Sequence, residues 1–430
     1  MTQVELLSPA GTLRNMRYAL AYGADAVYAG MPRYSLRVRN NDFLPNNLAQ
    51  GIAETQAQGR KFFVAANIMP HGAKLKTFID DMAPVLELGP DALIMADPGL
   101  ILLVRERWPE QAIHLSVQAN TMNTASVRFW QRQGLTRVIL SRELSLEEIA
   151  EIRQACPDME LEVFVHGALC IAYSGRCLLS GYFNHRDANQ GSCTNSCRWD
   201  YAVRPDAAES GSGVAPPRHP LAEQAYLLEE SERPGELMPI EEDEAGTYIM
   251  NSKDLRALEH VQRLVEIGVD SLKIEGRTKS HYYVARTTQV YRRAIDDALA
   301  GRGLNSRLMA DLESLANRGY TDGFLQRHQT QELQSYRQNS SQSERQIFVA
   351  EVVGQGADGW VELEAKNRFA IGDRLELITP EGNQDLRLEQ MRLADGRPIT
   401  EVPGGGYRVQ VPLPGQSLDR ALLARYLDKA

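Results

Sequence analysis

Short apolar runs and amphipathic helical stretches alternate through the first 170 residues of the chain. The apolar runs have the length of strands, and the stretches between them repeat apolar residues at helical spacing. This alternation predicts parallel strands joined by crossover helices. The predicted strands are Val4–Leu7, Ala26–Ala29, Phe62–Ala66, Ala92–Ala96, Ile113–Val117, Val138–Leu140, Leu161–Val165 and, after a long interruption, Ser271–Ile274. The predicted helical stretches include Leu13–Tyr22, Leu48–Gln58, Leu75–Leu88, Leu146–Ala155, Leu255–Ile267 and Tyr282–Ala300.

Eight strand–helix units of this size predict an α/β fold, a (β/α)8 TIM-like barrel over residues 1–300. A doubly wound open sheet is the alternative. Residues 301–344 are helical and polar in pattern and end in a Gln/Ser-rich stretch typical of a linker. From Arg345 to residue 430 short alternating runs are broken by Gly, Pro and Asp, which predicts a small antiparallel β-barrel module. Such a module binds nucleic acid, covers an active site or only packs against its neighbour.

Composition and charge add an expectation about location and partners. The chain has 430 residues with 43% hydrophobic content, and no run approaches the roughly 18–20 apolar residues of a membrane helix. The N-terminus lacks the basic start and apolar stretch of a signal peptide, so we expect a cytoplasmic protein with no membrane partner. The net charge is −9, and an acidic insertion at 205–246 with 11 acidic and two basic residues accounts for it. The rest of the chain is balanced, which leaves a nucleic-acid partner open.

Four of the five cysteines lie between positions 170 and 197, in polar loops that contain several glycines. Six, fifteen and three residues separate the successive thiols. Four thiolates suit either a structural zinc ion or a cubane iron–sulfur cluster. Only the last two form the close pair that zinc sites usually repeat, so the spacing favours the cluster without excluding zinc. The candidate metal ligands are Cys170, Cys177, Cys193 and Cys197, whereas Cys156 stands apart at the end of a helical stretch.

Polar side chains follow most of the predicted strands, at the end where barrel enzymes carry their chemistry. Alternation within the seventh strand puts Glu162, Phe164 and His166 on one inward face, directly before the first cysteine. We expect catalytic groups among such positions, with His166 as the imidazole candidate for acid–base work. The candidate catalytic residues are Glu162, His166 and Glu275; the candidate substrate-binding residues are Asn67, Gln118, Arg142, Tyr173, Lys273 and Arg277; the other strand-end polar residues are Ser8, Tyr28, Asp97, Asn120 and Ser141.

Several arginines are candidates for binding anions. Arg142 and Arg277 could clamp a carboxylate through bidentate hydrogen bonds, and Glu143 and Glu275 are their alternative partners within the chain. Three further arginines, at positions 33, 37 and 39, lie in the loop after the second predicted strand. They contact phosphates or form an ordinary solvated loop.

Several segments together resemble the signature of one protein family. Residues 162–170, followed by the Gly-Arg-Cys of residues 175–177, are similar to the signature of the collagenase-like peptidase family of undetermined catalytic type. The Ser-Pro-Ala-Gly of residues 8–11 and the Lys-Ile-Glu-Gly-Arg of residues 273–277 resemble its other typical segments. The resemblance spans nearly the whole chain, including the terminal β-module.

The family members that this chain most resembles act on tRNA. The resemblance implies an oxygen-independent hydroxylase that forms 5-hydroxyuridine at the wobble position and depends on prephenate. It also implies a [4Fe–4S] cluster whose ligands match the four cysteines from Cys170 to Cys197. Some relatives take their fourth ligand from a cysteine at the position where this chain has Arg256. Other relatives act on ribosomal RNA or quinone precursors, so assignment to tRNA follows from overall similarity alone.

The expected partners are a tRNA anticodon loop, the small dicarboxylate prephenate, and an electron-transfer or accessory protein. Bases of an anticodon loop are already single-stranded and can be splayed into a pocket. Tyr173, Tyr182, Phe183 and Trp199 flank the cysteines and either stack on a base or pack in the core. Two alternatives stay open. One is a peptidase, although the chain has no Gly-x-Ser-x-Gly or His-Glu-x-x-His motif. The other is a zinc-stapled RNA-binding protein without catalysis.

Overall fold

A computed structural model describes most of the chain with its side chains. It covers residues 4–36, 41–170, 172–180, 188, 193–194, 252–326, 343, 345–355, 359–415 and 417–427, together with the backbone of three strands between residues 226 and 248. No helix within these ranges is long and apolar enough to cross a bilayer.

Parallel strands form a closed barrel in the first three quarters of the chain. All described strands of this part of the chain, inside and outside the barrel, are β1 Glu5–Pro9, β2 Ala26–Gly30, β3 Lys61–Ala66, β4 Ala92–Met95, β5 Ile113–Leu115, β6 Arg137–Ile139, β7 Glu160–Ala168, β8 Tyr226–Glu229, β9 Leu237–Asp243, β10 Gly246–Tyr248, β11 Asp254–Arg256, β12 Ser271–Ile274 and β13 Tyr320–Thr321. Strands β1 to β7 pair in chain order, and β12 pairs in parallel with both β1 and β7. This closure confirms the eight-stranded TIM-like barrel. Strands β8 to β10 pair separately and antiparallel.

Helices connect the barrel strands on the outside. They are α1 Leu13–Ala21, α2 Pro45–Gln56, α3 Gly72–Leu75, α4 Phe78–Glu87, α5 Pro98–Arg107, α6 Thr124–Arg132, α7 Leu146–Ala155, α8 Val261–Ile267, α9 His281–Leu299 and α10 Ser306–Glu313. Polar residues cap several of these helices; Ser145, for example, forms a reciprocal capping box with Glu148 at the start of α7. Such caps satisfy backbone N–H groups that have no partner within the helix.

Side chains of the barrel strands alternate between two hydrophobic layers. Leu6 and Val27 belong to the layer between strands and helices, whereas Leu7, Tyr28 and Phe63 belong to the barrel interior. A period of two puts successive side chains on opposite faces of a strand. The short apolar runs were therefore sufficient to predict the strands, and the alternation along each strand produces the two layers.

The predicted helical stretch Leu255–Ile267 is wrong in its first half. Residues Asp254–Arg256 form β11, which pairs antiparallel with the end of β7, and only Val261–Ile267 is α-helical. Leu255 is buried in the barrel interior, where its backbone also pairs with the end of β7. Tertiary pairing overrides local helical spacing here. The neighbouring strand β13 lies within residues 301–344, which the pattern predicted to be helical and polar.

The C-terminal residues form a separate antiparallel module, as predicted. Its strands are β14 Gln346–Gln355, β15 Trp360–Ala365, β16 Phe369–Ala370, β17 Arg374–Ile378, β18 Asn383–Arg387, β19 Arg392–Leu393, β20 Glu401–Val402, β21 Arg408–Pro412 and β22 Leu422–Tyr426. Seven of these strands form one sheet, and β16 pairs with β20. The module has its own hydrophobic core, while Ile378, Leu422 and Ala424 pack into the core of the barrel.

Helix α9 lies between the barrel and the C-terminal module. Arg286 in this helix is 1% exposed and donates to Glu376 of β17 at 3.0 and 2.7 Å. It also donates to Asp311 of α10 at 3.1 Å, and Gln346 donates to the same Glu376 carboxylate at 2.8 Å. A guanidinium can be buried when carboxylates pair with it and accept its hydrogen bonds. This network therefore anchors the module on the barrel.

Replacing Arg286 by methionine should lower the free energy of unfolding by about 3–5 kcal/mol, because it leaves two buried carboxylates without their cation. Urea denaturation measures this loss. The matched control is Arg374→Met, which removes an exposed arginine paired with Asp385 and should change stability little. An Arg286→Met protein as stable as the wild type would contradict the structural role of the network.

Candidate functional site

Four charged side chains form an ion-pair network inside the barrel. Glu162 accepts hydrogen bonds from Lys273 at 2.7 Å and from Arg137 at 3.1 Å, and Arg137 also donates to Glu5 at 2.5 Å. Glu162 is fully buried, and the other three are at most 8% exposed. Burial lowers the pKa of Lys273, while the Glu162 carboxylate beside it opposes that shift. Each of the four charges is therefore stabilised in this enclosed space by a partner of opposite sign.

Glu5 and Arg137 were not among the sequence-predicted site residues. Each begins a barrel strand, two positions before the inward side chain of Leu7 or Ile139. A charged residue at an inward position of a strand is the signal that would have identified both.

Three cations surround two aromatic rings in the barrel, Tyr28 and Phe164. The Nζ atom of Lys273 lies 4.4 Å from the ring centroid of Tyr28 and 5.3 Å from that of Phe164. The Cζ atom of Arg142 lies 4.0 Å from the Phe164 centroid, and that of Arg277 lies 5.6 Å from the Tyr28 centroid. Aromatic faces attract cations at these distances. The structure thus brings together three of the predicted substrate-binding residues.

Arg277 extends over the end of β1 toward the loop that follows β2. It donates from Nη1 to the hydroxyl of Ser35 and from Nη2 to the carbonyl of Leu36, both at 2.6 Å. Gly30 makes room for it, because a Cβ atom at that position would lie 2.5 Å from Nη1. The guanidinium of Arg277 therefore reaches the barrel rim beside the loops after β1 and β2.

Glu275 is half-buried just after β12 and is held by both neighbouring strands. The Glu275 carboxylate accepts a hydrogen bond from the Tyr28 hydroxyl at 3.2 Å. The backbone N–H of Glu275 donates to the backbone carbonyl of His166 at 2.8 Å. Gly167 allows this close approach, since its φ is +114° and a Cβ atom there would lie 2.5 Å from the Glu275 carbonyl oxygen. Lys273, Glu275 and Arg277 thus all contact Tyr28, as expected for residues aligned along one strand.

The prediction that His166 faces the barrel interior is wrong. Strand β7 has a bulge where it pairs with β12: Phe164 lies opposite Lys273, but Ile274 lies opposite His166, which leaves Val165 as an extra residue. One extra residue shifts the alternation, so side chains beyond it point to the other face. His166 therefore aligns with Ile274, which belongs to the outer hydrophobic layer.

His166 is enclosed by tyrosines outside the barrel. Its ring centroid lies 5.5–5.8 Å from those of Tyr283, Tyr291 and Tyr320, and it is 1% exposed. Burial lowers the pKa of His166 to about 3, although the Asp254 carboxylate opposes this shift. The imidazole is neutral at pH 7, and its packing does not favour an acid–base role at the barrel mouth.

Amide side chains after β3 and β5 contact neighbouring loops at the barrel mouth. Asn120 adopts the left-handed conformation with φ +51° and donates to the carbonyls of Ser174 at 2.8 Å and Gln118 at 3.1 Å. Gln118 is buried beside it, and Asn67 donates to Ser116 at 3.2 Å. Because Ser174 lies within the cysteine segment, these contacts fix the start of that segment to the barrel.

Several other strand-end residues have partners of a structural kind. Asp97 caps α5, which explains its place at the end of a strand. The remaining pairs are Ser8 with Thr288 at 2.8 Å, Ser141 with Glu143, and Arg33 with Asp81 at 2.7 Å. Arg37 and Arg39 lie outside the described residues.

Three of the four predicted metal ligands lie in described parts of the segment after β7. Cys170 and Cys193 are exposed, and Cys177 is half-buried. The Ser180 hydroxyl lies 3.7 Å from the sulfur of Cys193. Within the described ranges, no three His, Cys, Asp or Glu side chains converge on a metal position. Cys197 lies outside those ranges, so the four-cysteine set stays a prediction.

One aromatic side chain of the cysteine segment is available for contact with a ligand. Tyr173 is 45% exposed, and its carbonyl accepts a hydrogen bond from the N–H of Arg176 at 3.1 Å, which closes a turn. An exposed ring in this loop can stack on a base. Tyr182, Phe183 and Trp199 lie outside the described residues.

Two family models match the chain. The model described as Peptidase family U32 matches residues 11–335, and the Peptidase family U32 C-terminal domain matches residues 344–425. Together they cover the barrel and the terminal β-module.

Curated relatives are similar over nearly the whole chain. The chain is 58% identical to "tRNA hydroxylation protein P" of Escherichia coli (strain K12), over 99% of this chain and 97% of the relative. It is 55% identical to the protein of the same name in Haemophilus influenzae, over 98% and 96% of the two chains. It is also 31% identical to "23S rRNA 5-hydroxycytidine C2501 synthase" of Escherichia coli, over 75% of this chain and 45% of that protein.

The buried His166 should make the protein less stable in mild acid. Between pH 6.5 and about 3, the unfolded chain binds a proton at this residue that the folded protein excludes, so the free energy of unfolding falls as pH falls. The loss is about 1.4 kcal/mol per pH unit, or about 2 kcal/mol at pH 5. Urea denaturation across this range should show a shallower pH dependence in His166→Phe than in the wild type. The control His71→Gln, at an exposed histidine, should keep the wild-type slope; equal slopes in all three proteins would contradict the prediction.

Proposed function

Because the chain belongs to peptidase family U32, we propose that it is a tRNA-modifying hydroxylase. The observation that carries this proposal is the end-to-end similarity to two relatives named tRNA hydroxylation protein P. A third relative is named for a hydroxylated pyrimidine of ribosomal RNA. The common feature of these names is hydroxylation of RNA, and we assign tRNA because both relatives that match over nearly the whole chain carry that name.

The proposed product is 5-hydroxyuridine at the wobble position, formed without molecular oxygen and with prephenate as co-substrate. A uridine in an anticodon loop is unpaired, so it can enter the barrel mouth at a modest cost in stacking energy. The exposed ring of Tyr173 and the Arg142 guanidinium on Phe164 are groups on which a base can stack. The side-chain amides of Gln118 and Asn67, in the loops of the same rim, are the candidate hydrogen-bonding groups for the base.

The donor chemistry of the loop after β7 fits a [4Fe–4S] cluster. Cys170, Cys177, Cys193 and Cys197 would hold it, because four thiolates suit a cubane cluster and the three described cysteines are at least partly exposed. Asn120 fixes this loop to the barrel through Ser174. When bound, the cluster supplies electron-transfer or Lewis-acid chemistry beside the mouth.

The charged residues of the barrel bind and orient in this proposal. Lys273 keeps its position through Glu162 at 2.7 Å and lies between the Tyr28 and Phe164 rings. Its positive charge, together with those of Arg142 and Arg277, favours an anionic substrate, because Lys273 and Arg277 are largely shielded from water. Glu275, held by Tyr28 and β7, remains the candidate carboxylate at the rim.

A peptidase activity has less support from the geometry, despite the family's name. A cysteine nucleophile needs a base within hydrogen-bond reach. His166, the histidine nearest in sequence to Cys170, is enclosed by tyrosines and faces away from the barrel interior. The hydroxylase proposal is therefore preferred over a peptidase.

We also propose that the protein acts in the cytoplasm on tRNA, with an electron-transfer or accessory protein as an additional partner.

Nucleoside analysis of tRNA tests the proposed activity. Expression of this chain in bacteria that lack their own tRNA hydroxylation genes should restore 5-hydroxyuridine, detected by mass spectrometry of digested tRNA. The restoration should fail in a host that cannot make prephenate. Unmodified wobble uridine in the complemented, prephenate-producing host would contradict the assignment.

Replacing Cys193 by alanine should remove most of the bound iron and sulfide, because a cubane cluster loses one of four thiolate ligands. Metal and sulfide analysis of anaerobically purified protein measures this, with Cys156→Ala as control. Cys156 is 2% exposed beside α7, so its replacement should leave the cluster content unchanged. Full iron and sulfide in Cys193→Ala would exclude this ligand, and stoichiometric zinc without sulfide in the wild type would favour a structural staple.

A further inference from the structure

The sulfur of Cys193 has a different kind of hydrogen-bond partner from the sulfur of Cys156. Cys156 is buried, and its sulfur lies 3.8 Å from the backbone carbonyl oxygen of Thr124. The sulfur of Cys193 lies 3.7 Å from the hydroxyl of Ser180. A carbonyl oxygen can only accept a hydrogen bond, whereas a hydroxyl can donate one. The surroundings of Cys156 therefore suit a protonated thiol, and those of Cys193 suit a deprotonated sulfur.

Thr194, which follows Cys193 in the chain, constrains the orientation of the Ser180 hydroxyl. The backbone N–H of Thr194 donates to the Ser180 oxygen at 2.9 Å, and the Thr194 hydroxyl lies 3.0 Å from the same oxygen. The N–H occupies one of the two acceptor positions of the serine oxygen. Among these contacts, two atoms can accept the serine proton: the Thr194 hydroxyl oxygen and the Cys193 sulfur.

The charge on the Cys193 sulfur decides between these two acceptors. A hydrogen bond to an ionised acceptor is about twice as strong as one between neutral groups. When the sulfur is a thiolate, the serine proton therefore points to it, and the Thr194 hydroxyl donates to the serine oxygen. Ser180 is 2% exposed, so bulk water competes little for its hydroxyl.

We propose that the Ser180 hydroxyl raises the reduction potential of a [4Fe–4S] cluster bound through Cys193. The inference rests on the proposed function, in which Cys193 is a cluster ligand. One-electron reduction adds negative charge to a cluster and its thiolates, and a hydrogen bond to a ligand sulfur stabilises the added charge. Ser180 thus favours the reduced form, and Thr194 reinforces this effect by donating to the serine oxygen.

A purely structural role for Ser180 would use the same oxygen in a different way. The contact that fixes the backbone of Thr194 needs the serine oxygen as an acceptor. The effect on the potential needs the serine proton as a donor to Cys193. Replacing Ser180 by threonine keeps both functions, replacing it by alanine removes both, and replacing Thr194 by valine removes only the second hydroxyl.

Redox titration of the anaerobically purified full-length protein tests the proposal, with dithionite as the reductant and the EPR signal of the reduced cluster as the readout. Ser180→Ala should lower the reduction potential, because the reduced cluster loses a hydrogen bond to its ligand sulfur. Ser180→Thr should keep the wild-type potential. The control Ser314→Ala removes another buried hydroxyl, which donates to the carbonyl of Asp311 at 2.6 Å, and should leave the potential unchanged.

Thr194→Val is the second test and decides the question where Ser180→Ala does not keep its cluster. It leaves the N–H bond from Thr194 to Ser180 in place and should lower the potential by less than Ser180→Ala does, because the serine becomes a weaker donor. Iron and sulfide analysis checks that each variant is equally loaded, and circular dichroism checks that each is folded.

The outcomes separate this inference from the proposed activity. A wild-type potential in Ser180→Ala, or an unchanged or higher potential in Thr194→Val, would overturn the role of Ser180 while tRNA hydroxylation could still be measured. Equal potentials in Ser180→Thr and Ser180→Ala would assign the shift to packing and overturn it as well. Wild-type protein without iron and sulfide would overturn both the cluster and this inference. Lowered potentials in a protein that never modifies tRNA would support the inference and overturn the hydroxylase proposal alone.

Discussion

The hydrogen-bonded pairing of β7 with β12 is the constraint on which the rest of the structure depends. It closes the barrel and places Glu162 and Lys273 near enough to form an ion pair at 2.7 Å in the interior. The bulge at Val165 lies within the same pairing and turns His166 outward. The end of β7 then accepts β11 as an additional antiparallel neighbour, and the chain leaves the barrel at the first cysteine.

Charge inside the barrel is stable because it is paired. Glu5, Arg137, Glu162 and Lys273 compensate one another in a region where an isolated charge would be strongly disfavoured. Aromatic rings extend this compensation toward the mouth, where Arg142 stacks on Phe164. Each charge of the interior network thus has a partner of opposite sign.

The C-terminal module is joined to the barrel through helix α9. Arg286 pairs with Glu376 of the module, and the ring of Tyr282 stacks on Phe348 with a centroid distance of 4.6 Å. Buried contacts of this kind fix the orientation of the two parts. The sequence pattern predicted this helix, but its partners in the module, Phe348 and Glu376, lie about 65–90 positions later in the chain.

The sequence by itself determined the eight barrel strands, the antiparallel C-terminal module and the residues that gather at the strand ends, because apolar periodicity and strand order are local properties. Tertiary structure decided the direction of His166, since a bulge depends on register against a distant strand. It also decided that residues 254–256 form a strand and that Glu5 and Arg137 join the interior network. Thr12, Asn41 and Lys279 likewise line one pocket only because barrel closure brings three loops together.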